Sequence, residues 1–207
     1  MMKKKNMSKR KLQAAETKRK IFEAARQLII EHGIENVSVD SIVKAAGVSK
    51  GAFYVHFESK DALAAAFVND YTNIADMDYK SFLASLSEHK SALDILVLLA
   101  EKISDFIDIN IGFENMRVLY KAHLTKTINT ASAMSYNREL YKLFTDALEK
   151  GVHQGEIRED IPVDSLAKHL ILAIRGITYE WCIRYPELSL KEQVLDHFKI
   201  LLYGLKR

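Results

Sequence analysis

The part of the chain that most constrains its fold is residues 37–63, with the sequence VSVDSIVKAAGVSKGAFYVHFESKDAL. Apolar residues recur at helical spacing from Val39 to Ala46, which predicts a short helix with one buried stripe. Gly47 follows, and because glycine reaches positive φ without a steric penalty, a sharp turn is predicted there. Ser49 stands where an N-cap hydroxyl would begin a second short helix. Two short helices joined by a tight turn predict a helix-turn-helix.

The second short helix, starting near Lys50, has one predicted face for the core and one for solvent. Phe53 and Phe57, four residues apart, are its inward anchors. The small residues of the outer face let the backbone approach base edges, and the Ala52 methyl can touch a thymine methyl. Tyr54 and His56 are expected to bond to phosphates and so to position the helix. Because few long polar side chains point outward, direct readout of bases is expected to be sparse, with DNA shape contributing to recognition. The outer face comprises Lys50, Gly51, Ala52, Tyr54, Val55 and His56, of which all but Val55 are assigned to DNA contact.

These residues resemble the signature of the tetracycline-repressor (TetR) family of bacterial transcriptional regulators. The resemblance begins at Ile42 and covers roughly the first third of the chain. The matching features are the alanine-rich first helix, the turn Gly47-Val48-Ser49, the aromatic pair around His56, and the helix start Ser59-Lys60-Asp61-Ala62-Leu63.

Three further DNA contacts are expected around this signature. The resemblance implies a phosphate contact for Lys60, in the first turn of the next helix. The helix dipole disfavours a cation there, so a nearby phosphate would account for it, the alternative being a solvated lysine. Ser38 and Ser49 are predicted N-caps, and Ser38 is also placed to donate to a phosphate.

The composition predicts an all-α protein. Two prolines and eight glycines in 207 residues leave few interruptions. No run approaches the ~20 apolar residues of a membrane span, and the basic N-terminus lacks the apolar core of a secretory signal. One cysteine, Cys182, excludes an internal disulfide and fits a reducing cytosol. We therefore expect a cytoplasmic location and no membrane partner.

Charge and periodicity together predict three regions. Residues 1–20 hold nine lysines and arginines against one acid, although the whole chain carries only +3. Such a basic segment either attracts DNA phosphates, acts as a solubilising tail, or comes from an alternative translation start. The predicted regions are a basic, disordered arm at 1–13, a three-helix helix-turn-helix DNA-binding domain at 14–58, and a larger helical ligand-binding and dimerisation domain at 59–207.

Apolar periodicity also predicts the individual helices of the chain. The polar segment 125–135 is predicted to be a loop or a frayed helix. Ser189 and Glu192 form a predicted capping box. In the resembled family the last two helices form a four-helix bundle across a two-fold axis, so we expect a homodimer; the alternative is that both helices complete the monomer core. The predicted helices after the turn motif run from Ser59 into the seventies and over 92–111, 113–124, 137–153, 163–184 and 190–205, with one before it at 14–32.

A regulator of the resembled type senses a small molecule in a pocket of its body, apolar with a few placed polar groups. For each candidate residue the alternative is core packing, a satisfied polar tip or a surface ion pair. Arg175, followed by Gly176 in an apolar helix, is the least ordinary, because a charge there needs a protein partner, another subunit or an anionic ligand. The candidates are Phe106, Tyr120, His123, Tyr141, Arg175, Tyr179 and Trp181.

The resemblance implies a ligand-responsive repressor that binds a palindromic operator on double-stranded DNA as a homodimer and is released by a small-molecule effector. A second hypothesis keeps the DNA-binding head and makes the body a protein-interaction platform. An enzyme is not expected, because G-x-S-x-G, P-loop and G-x-G-x-x-G patterns do not occur in the sequence. The seven histidines have no metal-type spacing, so neither a metal nor a cofactor is expected.

Overall fold

The structure is a computed structural model that describes the backbone of residues 2–207 and the side chains from Arg10 onward. A 3₁₀ turn, Ile34–Asn36, follows the first helix, and a π-helical turn, Phe106–Ile111, continues the fifth. The described residues contain no strand beyond an isolated bridge between Ile157 and Lys206. The all-α prediction is therefore confirmed. The helices are α1 Met2–His32, α2 Val39–Ala46, α3 Lys50–His56, α4 Lys60–Ala84, α5 Ala92–Asp105, α6 Phe113–Thr125, α7 Ala131–Met134, α8 Glu139–His153, α9 Val163–Arg184 and α10 Leu190–Leu205.

The helices divide into two compact units. The first consists of Met1–Asn69 and Lys121–Thr130, and the second of Asp70–Tyr120 and Ala131–Arg207. The boundary thus lies within α4, later than the division at residue 58 that we predicted. The physical reason is that Leu63, on the second turn of α4, is buried in the core of the first unit.

The core of the first unit joins the first four helices. Phe53 and Phe57 of the turn motif are both buried, which confirms them as inward anchors. Phe22 of α1 stacks on Phe67 of α4 with ring centroids 4.3 Å apart, so the long helices are tied together beside the motif. The buried members are Ile21, Ala25, Val37, Ile42, Val43, Phe53, Phe57, Leu63 and Phe67.

The first helix differs from the prediction. We expected a disordered arm at 1–13 and a helix from Ala14, whereas α1 begins at Met2, so residues 2–13 are helical. This segment lacks proline and glycine and is rich in lysine, arginine and other good helix formers. The side chains of the arm before Arg10 lie outside the described residues. From Arg10 to Glu16 the side chains are exposed.

The core of the second unit is formed by α5, α8, α9 and α10. Phe144 of α8 and Phe198 of α10 are fully buried, with ring centroids 6.5 Å apart. Gly151 of α8 permits a close approach, because a Cβ there would lie 2.5 Å from the Ile157 Cδ1 and 2.8 Å from the Ala92 Cβ. None of the helices among the described residues is long and apolar enough to cross a bilayer.

Two segments of the second unit depart from regular α-helix. The predicted helix 92–111 is regular only to Asp105 and ends as the π-helical turn before Gly112, whose φ is 77°. The segment 125–135, predicted as a loop or frayed helix, contains the single turn of α7. The backbone carbonyls of Ala133 and Met134, at the end of α7, accept hydrogen bonds from arginine side chains.

Candidate nucleic-acid interface and effector site

Side-chain caps and one glycine define the turn motif. Ser38 accepts from the Ser41 amide at 3.1 Å, and the Ser41 hydroxyl accepts from the Ser38 amide at 3.0 Å, so a serine completes the capping box of α2. Gly47 has φ 64° and closes α2 in the left-handed conformation. Ser49 accepts from the Ala52 amide at 3.1 Å and begins α3. The predicted N-caps and turn are confirmed.

The outer face of α3 is largely free of packing. Phe53 is fully buried, whereas Tyr54 and Val55 are 50% and 78% exposed. Lys50 and Gly51 are also exposed, and Ala52 and His56 are half-buried. An apolar side chain as exposed as Val55 contributes nothing to the core, so this valine is a candidate contact to which we had assigned no role. The roles of Tyr54 and His56 at phosphates stay predictions.

Lys50 is held by an acid from the preceding helix. Its Nζ lies 2.8 Å from Oδ1 of Asp40 on α2, and both side chains are exposed. The hydrogen bond to Asp40 raises the pKa of the Lys50 ammonium. A DNA phosphate that recruits Lys50 therefore competes with a carboxylate, and this competitor was not identified from the sequence.

Lys60 makes contacts that the sequence did not reveal. Its Nζ donates to the carbonyl oxygens of Ile34 at 3.0 Å and Val37 at 2.9 Å. These carbonyls compensate for the unfavourable helix dipole, so a phosphate is not needed to explain the placement of Lys60. An ammonium has three donors, and one remains for DNA. The phosphate contact of Lys60 stays a prediction.

In the second unit, three of the predicted effector residues lie together. The Tyr120 hydroxyl of α6 donates to the backbone carbonyl of Arg175 at 2.7 Å. The rings of Tyr120 and Tyr179 meet edge to face with centroids 5.6 Å apart. Burial raises the pKa of the Tyr120 phenol, so it remains a donor at neutral pH.

The Arg175 guanidinium is half-buried beside α7. Its Nη2 donates to the carbonyl oxygens of Met134 at 3.1 Å and Ala133 at 3.5 Å, and its Cζ lies 5.4 Å from the ring centroid of Tyr136. Burial lowers the pKa of Arg175, and the nearby Arg138 guanidinium lowers it further. Among the ion pairs of the described residues, none involves Arg175.

Arg138, at the start of α8, has a carboxylate partner. Its Nη2 donates to Oδ1 of Asp76 at 2.6 Å and its Nε to Oδ2 at 3.3 Å, and the two side chains are only 16% and 11% exposed. Its Nη1 donates to the Ala133 carbonyl at 2.9 Å, which Arg175 shares. Neither Asp76 nor Arg138 was identified from the sequence. The spacing of Asp76 from Thr72 and Tyr79 places the three on one face of α4, but only the structure shows that this face is buried.

The remaining predicted effector residues lie in other surroundings. The Tyr141 hydroxyl donates to Asp164, although its ring also meets that of Tyr136 at 5.6 Å. Trp181 is buried against Phe113 and Tyr185, and Phe106 is buried against Tyr79. His123 belongs to the first unit, where its Nδ1 hydrogen-bonds the Thr130 hydroxyl. The structure gathers Tyr120, Tyr179 and Arg175, with Tyr141 linked to them through Tyr136.

The part of the chain that the structure describes contains no group of three or more His, Cys, Asp or Glu side chains able to hold a metal ion. Cys182 on α9 is half-buried, and burial raises the pKa of its thiol to about 11. At neutral pH this cysteine is a thiol, which is the less reactive form.

Comparisons with known proteins cover the turn motif and the whole fold. The family described as bacterial regulatory proteins, tetR family, matches residues 21–67. The HTH-type transcriptional repressor KstR2 of Rhodococcus jostii is 24% identical over 185 residues and spans 89% of each chain. The HTH-type transcriptional regulator AcrR of Shigella flexneri is 24% identical over 202 residues, or 94% of this chain and 91% of that one.

Similarity of fold extends over nearly the full length. The structure of Thermus thermophilus FadR, a TetR-family transcriptional repressor in complex with lauroyl-CoA, superimposes with a TM-score of 0.69. It is 20% identical and covers 92% of this chain and 96% of that chain. Because the capped turn motif, the family match and the full-length relatives agree, the chain belongs to the TetR family of bacterial regulatory proteins.

Proposed function

We propose that this chain is a ligand-responsive transcriptional repressor, which binds a palindromic operator as a homodimer and is released when a small molecule binds its helical body. The exposed outer face of α3, set between two buried phenylalanines, is the observation that carries the proposal. Relatives named as repressors, such as KstR2, support the direction of regulation. The lauroyl-CoA bound by the FadR repressor supports a small-molecule effector.

Selection of bound sequences from a random duplex pool tests the DNA-binding part. We expect a palindrome whose half-sites are spaced by about 10–10.5 bp or a multiple, because paired heads contact successive major grooves. Val55→Asp places a carboxylate on the outer face of α3 and should abolish enrichment. Met77→Asp, at another exposed apolar position, is the matched control and should enrich the same sequence. Enrichment of an unpaired half-site, or of nothing, would contradict the proposal.

Exposed apolar residues on the last two helices support the homodimer. On α9 the residues Leu172, Tyr179 and Ile183 are exposed, and Gly176 lies between them at helical spacing on the same face. A Cβ at Gly176 would meet no atom of the described residues within 4 Å, so a second helix can approach closely here. Contiguous apolar surface of this kind marks an interaction site rather than a solvated face.

The dimer has a sharp test on α10. Ile200 is 71% exposed on the proposed interface, and Ile109, in the π-helical turn, is 77% exposed elsewhere in the second unit. Ile200→Glu should shift the mass measured by light scattering toward the monomer, because a charge would be buried between copies. Ile109→Glu should leave the mass unchanged. Equal masses for both variants would remove α10 from the interface.

The effector acts by preferring one of two states of the dimer. A ligand shifts such an equilibrium only by the difference between its affinities for the two states. The polar cluster at Tyr120, Arg138 and Arg175 within the second unit supports a sensor. Burying such groups costs free energy, and binding a ligand is one role that would explain their placement.

A further inference from the structure

The Arg175 guanidinium is placed among groups that solvate it without neutralising it. Two carbonyl oxygens of α7 accept from its Nη2, and the Tyr136 ring lies against it with the centroid 5.4 Å from Cζ. A guanidinium has five N–H donors, so at least two lack an acceptor among the described residues. Carbonyl dipoles and an aromatic face stabilise a cation weakly compared with a carboxylate.

The charges around Arg175 do not balance. Arg138 and Asp76 form a bidentate, largely buried pair, and among the described residues Asp76 is the carboxylate in direct contact with either guanidinium. Arg175 shares the Ala133 carbonyl with Arg138, so two cations lie beside one anion. The cluster therefore has an excess of one positive charge. Burial lowers the pKa of Arg175, as expected for a cation taken out of water without a counter-charge.

Apolar and aromatic groups surround this excess charge. The ring of Tyr136 lies against the guanidinium. Tyr120 of α6 contacts the ring of Tyr179 and bonds to the Arg175 carbonyl, so both tyrosines lie beside the turn of α9 that carries Arg175. A planar guanidinium with free donors suits bidentate binding of a carboxylate, and the rings suit an apolar portion.

We propose that the effector is an amphiphile with a carboxylate group, and that Arg175 binds this group as the counter-charge missing from the cluster. The assignment rests on the proposed ligand-responsive function. Arg138, already neutralised by Asp76, orients the shared α7 carbonyl and thereby positions Arg175.

Binding is tested on the full chain with linear alkanoates of four to sixteen carbons and the matching alkan-1-ols. Trp181 is the single tryptophan of the chain and lies on α9, the same helix as Arg175. Its fluorescence therefore reports ligand binding. We expect one or more alkanoates to bind at least ten-fold more tightly than the alcohol of equal length. Arg175→Met should remove that preference, and Arg175→Lys should restore part of it because the charge returns without the planar fork.

Thermal unfolding separates this role from a structural one. If Arg175 is kept for an anion, Arg175→Met should unfold at the same temperature as the natural chain or higher, because an unbalanced cation is replaced by an apolar side chain of similar length. Arg138→Met leaves Asp76 unpaired and should unfold at a clearly lower temperature. A comparable loss in both variants would make Arg175 a structural tie to α7 and overturn the proposal.

The remaining outcomes are also decisive. Alkanoates that bind Arg175→Met as well as the natural chain, alcohols that bind as tightly as acids, or a series in which no alkanoate binds would each overturn the assignment. A monomeric Arg175→Met variant would show that the partner subunit supplies the counter-charge instead. Release of operator DNA by alcohols alone would leave the proposed function standing without the charge assignment. Binding of an alkanoate through Arg175 without any change in DNA affinity would support the charge assignment and contradict the proposed ligand-responsive function.

Discussion

Lys60→Met tests whether a lysine at the start of α4 supports the DNA-binding head. The Lys60 ammonium donates to the carbonyls of Ile34 and Val37. Both lie in the segment that joins α1 to α2. Hydrogen bonds involving a charged partner contribute about 1.5–3 kcal/mol each. Because the ammonium is half-exposed, water replaces part of this, and we expect a loss of about 2–3 kcal/mol.

This loss is measurable by thermal unfolding followed by circular dichroism. For a chain of this size about 1 kcal/mol lowers the unfolding temperature by ~2–4 °C, so a decrease of roughly 4–12 °C is expected. Lys50→Met is the matched control. It removes the same charge from the same head but breaks only an exposed ion pair with Asp40, so its unfolding temperature should stay close to that of the natural chain.

The salt dependence of DNA binding then separates support from contact. Each phosphate contact contributes a slope of about 0.9 in a plot of log affinity against log salt. If the third donor of Lys60 reaches a phosphate, Lys60→Met lowers the slope by about this amount; an unchanged slope removes Lys60 from the contacts. Lys60→Met that unfolds with the natural chain would refute the argument that its carbonyl bonds hold the head together.

Three other outcomes are expected. Asp40→Asn should tighten binding to random duplex DNA roughly three- to ten-fold at low salt, because Lys50 is released and an acid is removed; anisotropy titrations showing equal or weaker binding would contradict this. Arg138→Met should cost about 3–5 kcal/mol of stability in urea unfolding, since Asp76 is left unpaired and largely buried, and a loss below about 1 kcal/mol would count against it. Native Cys182 should react with iodoacetamide at pH 8 roughly two orders of magnitude more slowly than in urea, because its raised pKa, about 11, keeps the thiol protonated until the pH approaches that value; mass spectrometry showing equal rates would argue against the burial.

Features set by neighbouring residues were predictable from the sequence. The caps at Ser38 and Ser49 and the turn at Gly47 involve residues at most four positions apart, so their chemistry is visible in the local pattern. The buried anchors Phe53 and Phe57 follow from helical spacing alone. The bounds of α9 and α10 were found for the same reason, whereas the start of α1 and the end of α5 were not.

Contacts between distant segments were not predictable. Lys60 bonds to carbonyls 23 and 26 positions earlier, and Arg138 pairs with a carboxylate 62 positions earlier. A single sequence does not show which of many charged residues meet once the helices pack. For the same reason the body candidates were chosen by residue type, and only Tyr120, Tyr179 and Arg175 proved to be neighbours.

The separation of α3 into a buried and an exposed face has a consequence for how such a protein diverges. Phe53 is the buried residue of α3, whereas Val55 is 78% exposed and Tyr54 is half exposed, with its ring meeting that of Phe53 edge to face. Substitutions at these two positions should therefore cost little stability. Duplicated copies of the gene can therefore acquire new operators by surface substitutions while the scaffold stays intact. Libraries randomised at these two positions should yield folded DNA-binding domains in high proportion. This helix is therefore a practical starting point for sets of repressors that do not bind one another's operators.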